Sequence, residues 1–138
     1  MREILFKAKR IDNGEWVEGF YCKRKTGHYD NIGFHDEYKD CIIVEFSDGG
    51  IAFYDVDQTT ICQYTGLNDK NGKKIWENDI CRYYNPEDKD GIGIIKDDYV
   101  SWVSGTLSKK TMTPLFYLKC GQEWEVYGNI FDNPELLK

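Results

Sequence analysis

Short runs of β-branched and aromatic residues, each stopped after a few positions by Gly, Asn or Asp, dominate this chain and leave helices almost no foothold. Ile4 to Lys9 reads as a first strand, and Asn13-Gly14 supplies the turn into a second from Glu15 to Cys22. Cys41 to Phe46 places Ile42, Val44 and Phe46 on one face. Asp48-Gly49-Gly50 then turns the chain into Ile51 to Val56, where Phe53 and Tyr54 take opposite faces. Thr59 to Tyr64 is extended, Thr65-Gly66-Leu67 bends, and Asn71-Gly72 marks another turn before Ile75. Five further strand candidates follow: Ile80 to Tyr84, Ile92 to Lys96, Tyr99 to Val103, Leu115 to Lys119 and Trp124 to Phe131. In the last of these, Trp124, Val126, Gly128 and Ile130 share one face, with Tyr127 and Phe131 on the other. Lys23 to Asp40 is polar, keeps neither the period of a helix nor that of a strand, and reads as an exposed loop. Asn133-Pro134-Glu135 has the order of a helix start with room for one turn.

The expected architecture is all-β: N-terminal β-hairpins over residues 1–64, a connecting turn segment over 65–79, and a C-terminal SH3-like small barrel over 80–138, the hairpins packed on the barrel as one rigid unit. A chain of 138 residues is long enough to bury a core without cross-links. No repeat, low-complexity tract or proline-rich linker divides it.

No apolar run approaches the ~18 residues of a spanning helix, and charges interrupt the opening Met1 to Lys7 before a signal-peptide core can form, so no membrane association and a cytoplasmic location are expected. The five cysteines, Cys22, Cys41, Cys62, Cys81 and Cys120, are odd in number and lack a Cys-x-x-Cys pair, which reads as reduced, mostly buried thiols. A net charge of −6 repels a phosphate backbone and disfavours nucleic acid, although Lys23-Arg24-Lys25 and Lys70-Lys73-Lys74 are local basic clusters.

A nucleophilic triad needs a base near Ser or Cys, yet the only histidines, His28 and His35, lie in the polar segment with no nucleophile elbow around either. His28, Asp30, His35 and Asp36 are donor types for a divalent metal, but their spacing matches no defined site. Asp69 to Gly72 and Asp88 to Gly91 imitate calcium loops and fail the ligand pattern. Convergence of Asp48, Asp55, Asp57, Asp97 and Asp98 would be needed for paired-carboxylate chemistry, which spacing does not reveal. No cofactor is expected, and the chain reads as a non-enzyme. The aromatic fraction of 15% is the unusual quantity, because Tyr and Trp on a sheet face anchor partners or stack bases. Trp102 and the Arg82-Tyr83-Tyr84 run are the exposed-aromatic candidates for binding.

The run Cys62 to Ile80, CQYTGLNDKNGKKIWENDI, is similar to the signature of the YopX family. The closing Val126 to Leu137, VYGNIFDNPELL, and the opening Phe6 to Lys9 with Trp16 to Gly19 resemble that family's ends. Cys62 stands where a Gly is usual, Trp76 replaces a smaller aromatic, and Asn78 replaces the Gly before Asp79. The resemblance implies a β-dominated fold and an origin in phage or prophage genomes, with no established activity to carry over. In the signature, Gly66 and Gly72 supply turn geometry and Asp79 bonds backbone donors, while Tyr64, Asp69 and Asp79 are the residues that a cleft would use. The function expected is that of a phage accessory protein acting through protein–protein contacts, with a host or phage protein and a homo-oligomer among its partners. The alternative is a nucleic-acid-binding module using an aromatic and basic sheet face.

Overall fold

The computed structural model describes residues 4–85, 88–96, 99–104, 112–114 and 124–137. The chain is mainly β, with every pairing antiparallel, and the described residues contain no α-helix. It divides into two compact units, Ile4–Gln63 and Met1–Glu3 with Tyr64–Lys138.

In the first unit, β1 (Phe6–Lys9), β2 (Trp16–Tyr29), β3 (Phe34–Glu45) and β4 (Ile51–Asp55) follow one another as hairpins. The turns fall at the predicted places: Gly14 N–H donates to Arg10 O at 2.9 Å, and Phe46 N–H donates to Gly50 O at 2.7 Å. The sheet then rolls until its first and last strands meet. Ile11 N–H donates to Asp55 O at 3.0 Å, Asp57 N–H donates to Lys9 O at 2.9 Å, and Arg10 bridges Val56. A 3₁₀ turn, Gln58–Thr60, capped by the Asp57 side chain, returns the chain so that Cys62 and Gln63, the start of β5 (Cys62–Asn68), pair with Lys7 and Phe6. The concave side holds the core: Ala8, Ile42 and Val56 are buried, with Phe6, Val17, Tyr21, Val44 and Ile61 against them.

Residues 23–40, expected as an exposed loop, instead form the distal halves of β2 and β3, paired residue for residue from Lys23 opposite Asp40 to Tyr29 opposite Phe34. The arm is closed by Asp30 and Gly33, which exchange hydrogen bonds of 3.0 and 3.3 Å around Asn31 and Ile32. The loop reading failed because a two-stranded ribbon exposes most of both faces, so its side chains need not alternate between apolar and polar.

In the second unit, the remainder of β5 pairs with β6 (Lys74–Trp76) around the Asp69–Gly72 turn. The other strands are β7 (Asp79–Asn85), β8 (Asp88–Ile95), β9 (Tyr99–Ser104), β10 (Met112–Pro114) and β11 (Trp124–Asn129), in the order β10-β9-β8-β7-β11. Among the described residues this ladder is open, without the β10–β11 pairing that would close an SH3-like barrel. The expected strand Leu115 to Lys119 lies outside the described residues. A shift in β11 between Val126 and Gly128 breaks its alternation and leaves Tyr127 exposed. Ile75, Cys81, Ile95, Val100 and Trp102 form the core of this unit, with Leu67 and Val126 packed on it. The chain ends in a 3₁₀ turn, Pro134–Leu137. Cys22, Cys41, Cys62 and Cys81 are free thiols, the last three buried, while Cys120 lies outside the described residues. Burial pushes the Cys81 thiol up to about 12, which keeps it protonated and unreactive.

Ile42 is fully buried at the centre of the rolled sheet. Ile42→Ala is therefore expected to lower stability by roughly 2–5 kcal/mol in urea unfolding followed by circular dichroism.

Candidate interaction surface

The arm of β2 and β3 has two unlike faces because strand side chains alternate and cross-strand partners share a side. The face continuous with the core of the rolled sheet carries Tyr21, Lys23, Lys25, Gly27 and Tyr29 from β2, and Phe34, Asp36, Tyr38 and Asp40 from β3. The reverse face carries Cys22, Arg24, Thr26 and His28 against His35, Glu37, Lys39 and Cys41. Aromatic groups thus line the inner face while the outer one is polar. Tyr29 and Phe34 pack ring to ring at 5.0 Å, and the Phe34 ring also lies across Gly27, where an added Cβ would stand only 2.1 Å from its Cζ. Even so, Tyr29, Phe34 and Tyr38 remain 82%, 52% and 62% exposed, and Ile32 at the tip 88%. Soluble surfaces rarely leave such aromatics together without a use.

At its base the inner face opens into a groove of about 880 Å³ whose lining includes Arg10, Tyr38, Asp40, Phe53, Tyr54 and Asp57. Arg10 lies over the Tyr54 ring at 4.4 Å and is held by Asp12 through contacts of 2.9 and 2.6 Å, which lower the carboxyl of Asp12 below its usual range. The Tyr21 hydroxyl donates to the Asp40 carboxylate, and that bond, with burial second, pushes its pKa up to about 12.

The ladder also orients the arm's backbone. Val56 N–H bonds Asp40 O at 3.1 Å and Arg10 N–H bonds Glu15 O at 2.9 Å, so even residues of β3 turn their peptide groups toward β4 and odd residues of β2 turn theirs toward β1. Beyond the reach of β4 and β1, these groups edge the arm on both sides.

The polar face uses its imidazoles internally. His28 and His35 stack at 5.2 Å, with His28 Nδ1 3.0 Å from Glu37 Oε1 and His35 Nε2 2.8 Å from Asp30 Oδ2. Among the described residues, no three His, Cys, Asp or Glu side chains gather as a metal site. Asp48 accepts from Gly50 N–H, Asp57 from Thr59, and Asp55 from Arg24, so these three carboxylates serve separate local bonds. Asp97 and Asp98 lie outside the described residues. Three cations of the basic clusters meet acids: Arg24 meets Asp55 at 2.9 Å, Lys25 meets Asp36 at 3.5 Å, and Lys70 meets Glu125 at 3.9 Å.

The seven residues singled out from the sequence fall in the second unit. Buried Asp69 accepts from Asn71 N–H at 2.9 Å, Lys73 N–H at 3.0 Å and Val126 N–H at 2.9 Å, tying the Asn71-Gly72 turn to β11. Gly72 takes φ 79° there, a left-handed conformation open to glycine. Buried Asp79 accepts from Trp76 N–H at 2.8 Å. Asn78 adopts φ 69°, which Asn tolerates better than other side chains; its N–H bonds Ile95 O at 2.7 Å and its carbonyl accepts from Ile130 N–H at 3.0 Å. Tyr64 is buried beside Trp76, with ring centroids 5.5 Å apart, and donates to Asn68 at 2.6 Å. Trp102, expected on an exposed face, is 5% exposed in the core and donates from Nε1 to Thr113 at 2.8 Å. The Arg82 guanidinium lies over the Tyr127 ring at 5.5 Å. Tyr83 and Tyr84 belong to β7, and their side chains lie outside the described set. These positions do not gather into one cleft among the described residues. Sequence reasoning missed Tyr29, Phe34 and Tyr38; the available signal was an aromatic on each side of the Asp30–Gly33 turn, Tyr29 and Phe34, with Tyr38 four residues further on.

Asp69→Ala would strand several inward N–H groups, with an expected loss of at least about 2 kcal/mol in chemical denaturation. At the arm's tip, Asp30 accepts from Ile32 N–H at 2.7 Å, and this bond, followed by His35, lowers its pKa. A lowered carboxyl stabilises the fold above the ordinary Asp value of about 3.9 and loses that contribution as pH falls through its own value. The Ile32 and Gly33 amide shifts should therefore titrate with a midpoint below about 3.9 by NMR, and Asp30→Asn should abolish the step.

Comparison with solved structures finds similarity to protein EF1440 from Enterococcus faecalis at 25% identity, covering 100% of each chain, with a TM-score of 0.49. Comparison with curated proteins returns no match. A model of the YopX protein family matches residues 5–138. That match takes in the opening strand, the signature turn and the closing segment together, and the chain belongs to the YopX family.

Proposed function

We propose that this YopX protein is a phage or prophage accessory protein that works by binding protein, with the inner face of the β2–β3 arm and the groove at its base as the contact surface. The observation that carries the reading is the row Tyr38, Phe34 and Tyr29, exposed on one face of an arm whose other face is polar. Large aromatics deliver the most contact energy for the least lost side-chain freedom, which suits them to interface centres. The net charge of −6, with Arg24, Lys25 and Lys70 each beside a carboxylate, supports protein over nucleic acid, because an acidic surface repels a phosphate backbone and paired cations release few counterions from it.

Replacing Phe34 with p-benzoylphenylalanine in the full chain, expressed in bacterial cells and irradiated, should give a protein adduct visible as a mass shift. The same group at Lys70 should give none. Absence of any adduct at position 34, or an adduct removed by nuclease, would count against the reading.

A further inference from the structure

We infer that the occupant of the arm's inner face is the same face of a second copy, packed antiparallel across a twofold axis. This rests on the interaction reading above and names its partner.

Along the ladder, Lys23 stands beside Asp40, Lys25 beside Tyr38, Gly27 beside Asp36 and Tyr29 beside Phe34. Because these four levels share one face, a twofold axis perpendicular to the strands and midway along the arm exchanges first with fourth and second with third. Lys23 of one copy then comes opposite Tyr29 of the other, Asp40 opposite Phe34, Lys25 opposite Gly27, and Tyr38 opposite Asp36. No cation meets a cation and no carboxylate meets a carboxylate. Lys23 faces the Tyr29 ring and Lys25 faces the Phe34 ring, which lies across Gly27, a cation over an aromatic ring being favourable in itself, and the Tyr38 hydroxyl gains a carboxylate acceptor.

Two further observations favour this occupant. A two-stranded ribbon is marginal alone and gains stability when an apolar face is covered. In addition, the exposed tip residues Tyr29 and Ile32 and the groove at the base belong to opposite ends of the same arm, so the antiparallel arrangement sets each tip toward the other copy's groove and satisfies both at once. An isologous contact of this kind closes at two copies and leaves no open chain of associations.

Light scattering on the 138-residue chain should give twice its mass of 16.2 kDa. Tyr29→Lys places a cation opposite Lys23 and should raise the dimer dissociation constant at least about tenfold. Adding Lys23→Glu to that variant should restore the dimer. Within one chain the two positions are too far apart along β2 for their side chains to pair, so the rescue reads a contact between copies. Circular dichroism on each variant verifies the fold. A wild type at the mass of one chain, a Tyr29→Lys variant that stays dimeric, or a double variant that stays monomeric while folded would each overturn the proposal. If the wild type is monomeric but benzoylphenylalanine at position 34 captures a different protein, the second copy is excluded and the interaction reading stands. If neither association nor capture is seen, both fall.

Discussion

One register governs the N-terminal unit, that of β2 on β3. Where the two strands belong to the rolled sheet, it sends Tyr21 and Ile42 into the core beside Val17 and Val44. The same alternation runs on past the reach of β1 and β4, so the side that is interior at the base becomes the aromatic side of the arm. A slip of one residue would empty the core and invert the arm together. Burial at the base thus specifies a surface that has no core of its own to specify it.

The second unit is organised differently, by carboxylates aimed at backbone. Asp69 holds its own turn and reaches the N–H of Val126 in β11. Asp79 holds Trp76, and the left-handed Asn78 between them links Ile95 and Ile130 through its peptide groups. The YopX signature is therefore a joint in which turn geometry and inward carboxylates make up for short strands. Burial of these polar groups is tolerated because each meets a donor or acceptor, which offsets the cost of removing it from water.

Much of this architecture was legible. Asn13-Gly14, Asp48-Gly49-Gly50 and Asn71-Gly72 are strong local signals, and the strands beside them follow from period-two patterning. The arm was not, because Lys23, Lys25 and Gly27 occupy the face that Tyr29, Phe34 and Tyr38 make aromatic, and no alternation of apolar with polar emerges. Trp102 was misplaced for a related reason: alternation separates the two sides of a strand without saying which is covered. Asp69 could be read as a turn residue, whereas its bond to Val126 joins positions distant in sequence and needs the folded chain to appear.

The meeting of Arg10 with Val56 bears on the order in which the N-terminal unit assembles. Three hairpins, β1–β2, β2–β3 and β3–β4, join neighbours along the chain and need only short loops to close. The seam between the first and last of these strands closes a far longer loop at a greater entropic cost and gains its hydrogen bonds only once the intervening ribbons have curled. The seam is thus the costliest closure of the N-terminal unit in chain entropy, and its hydrogen bonds depend on every ribbon between its two sides.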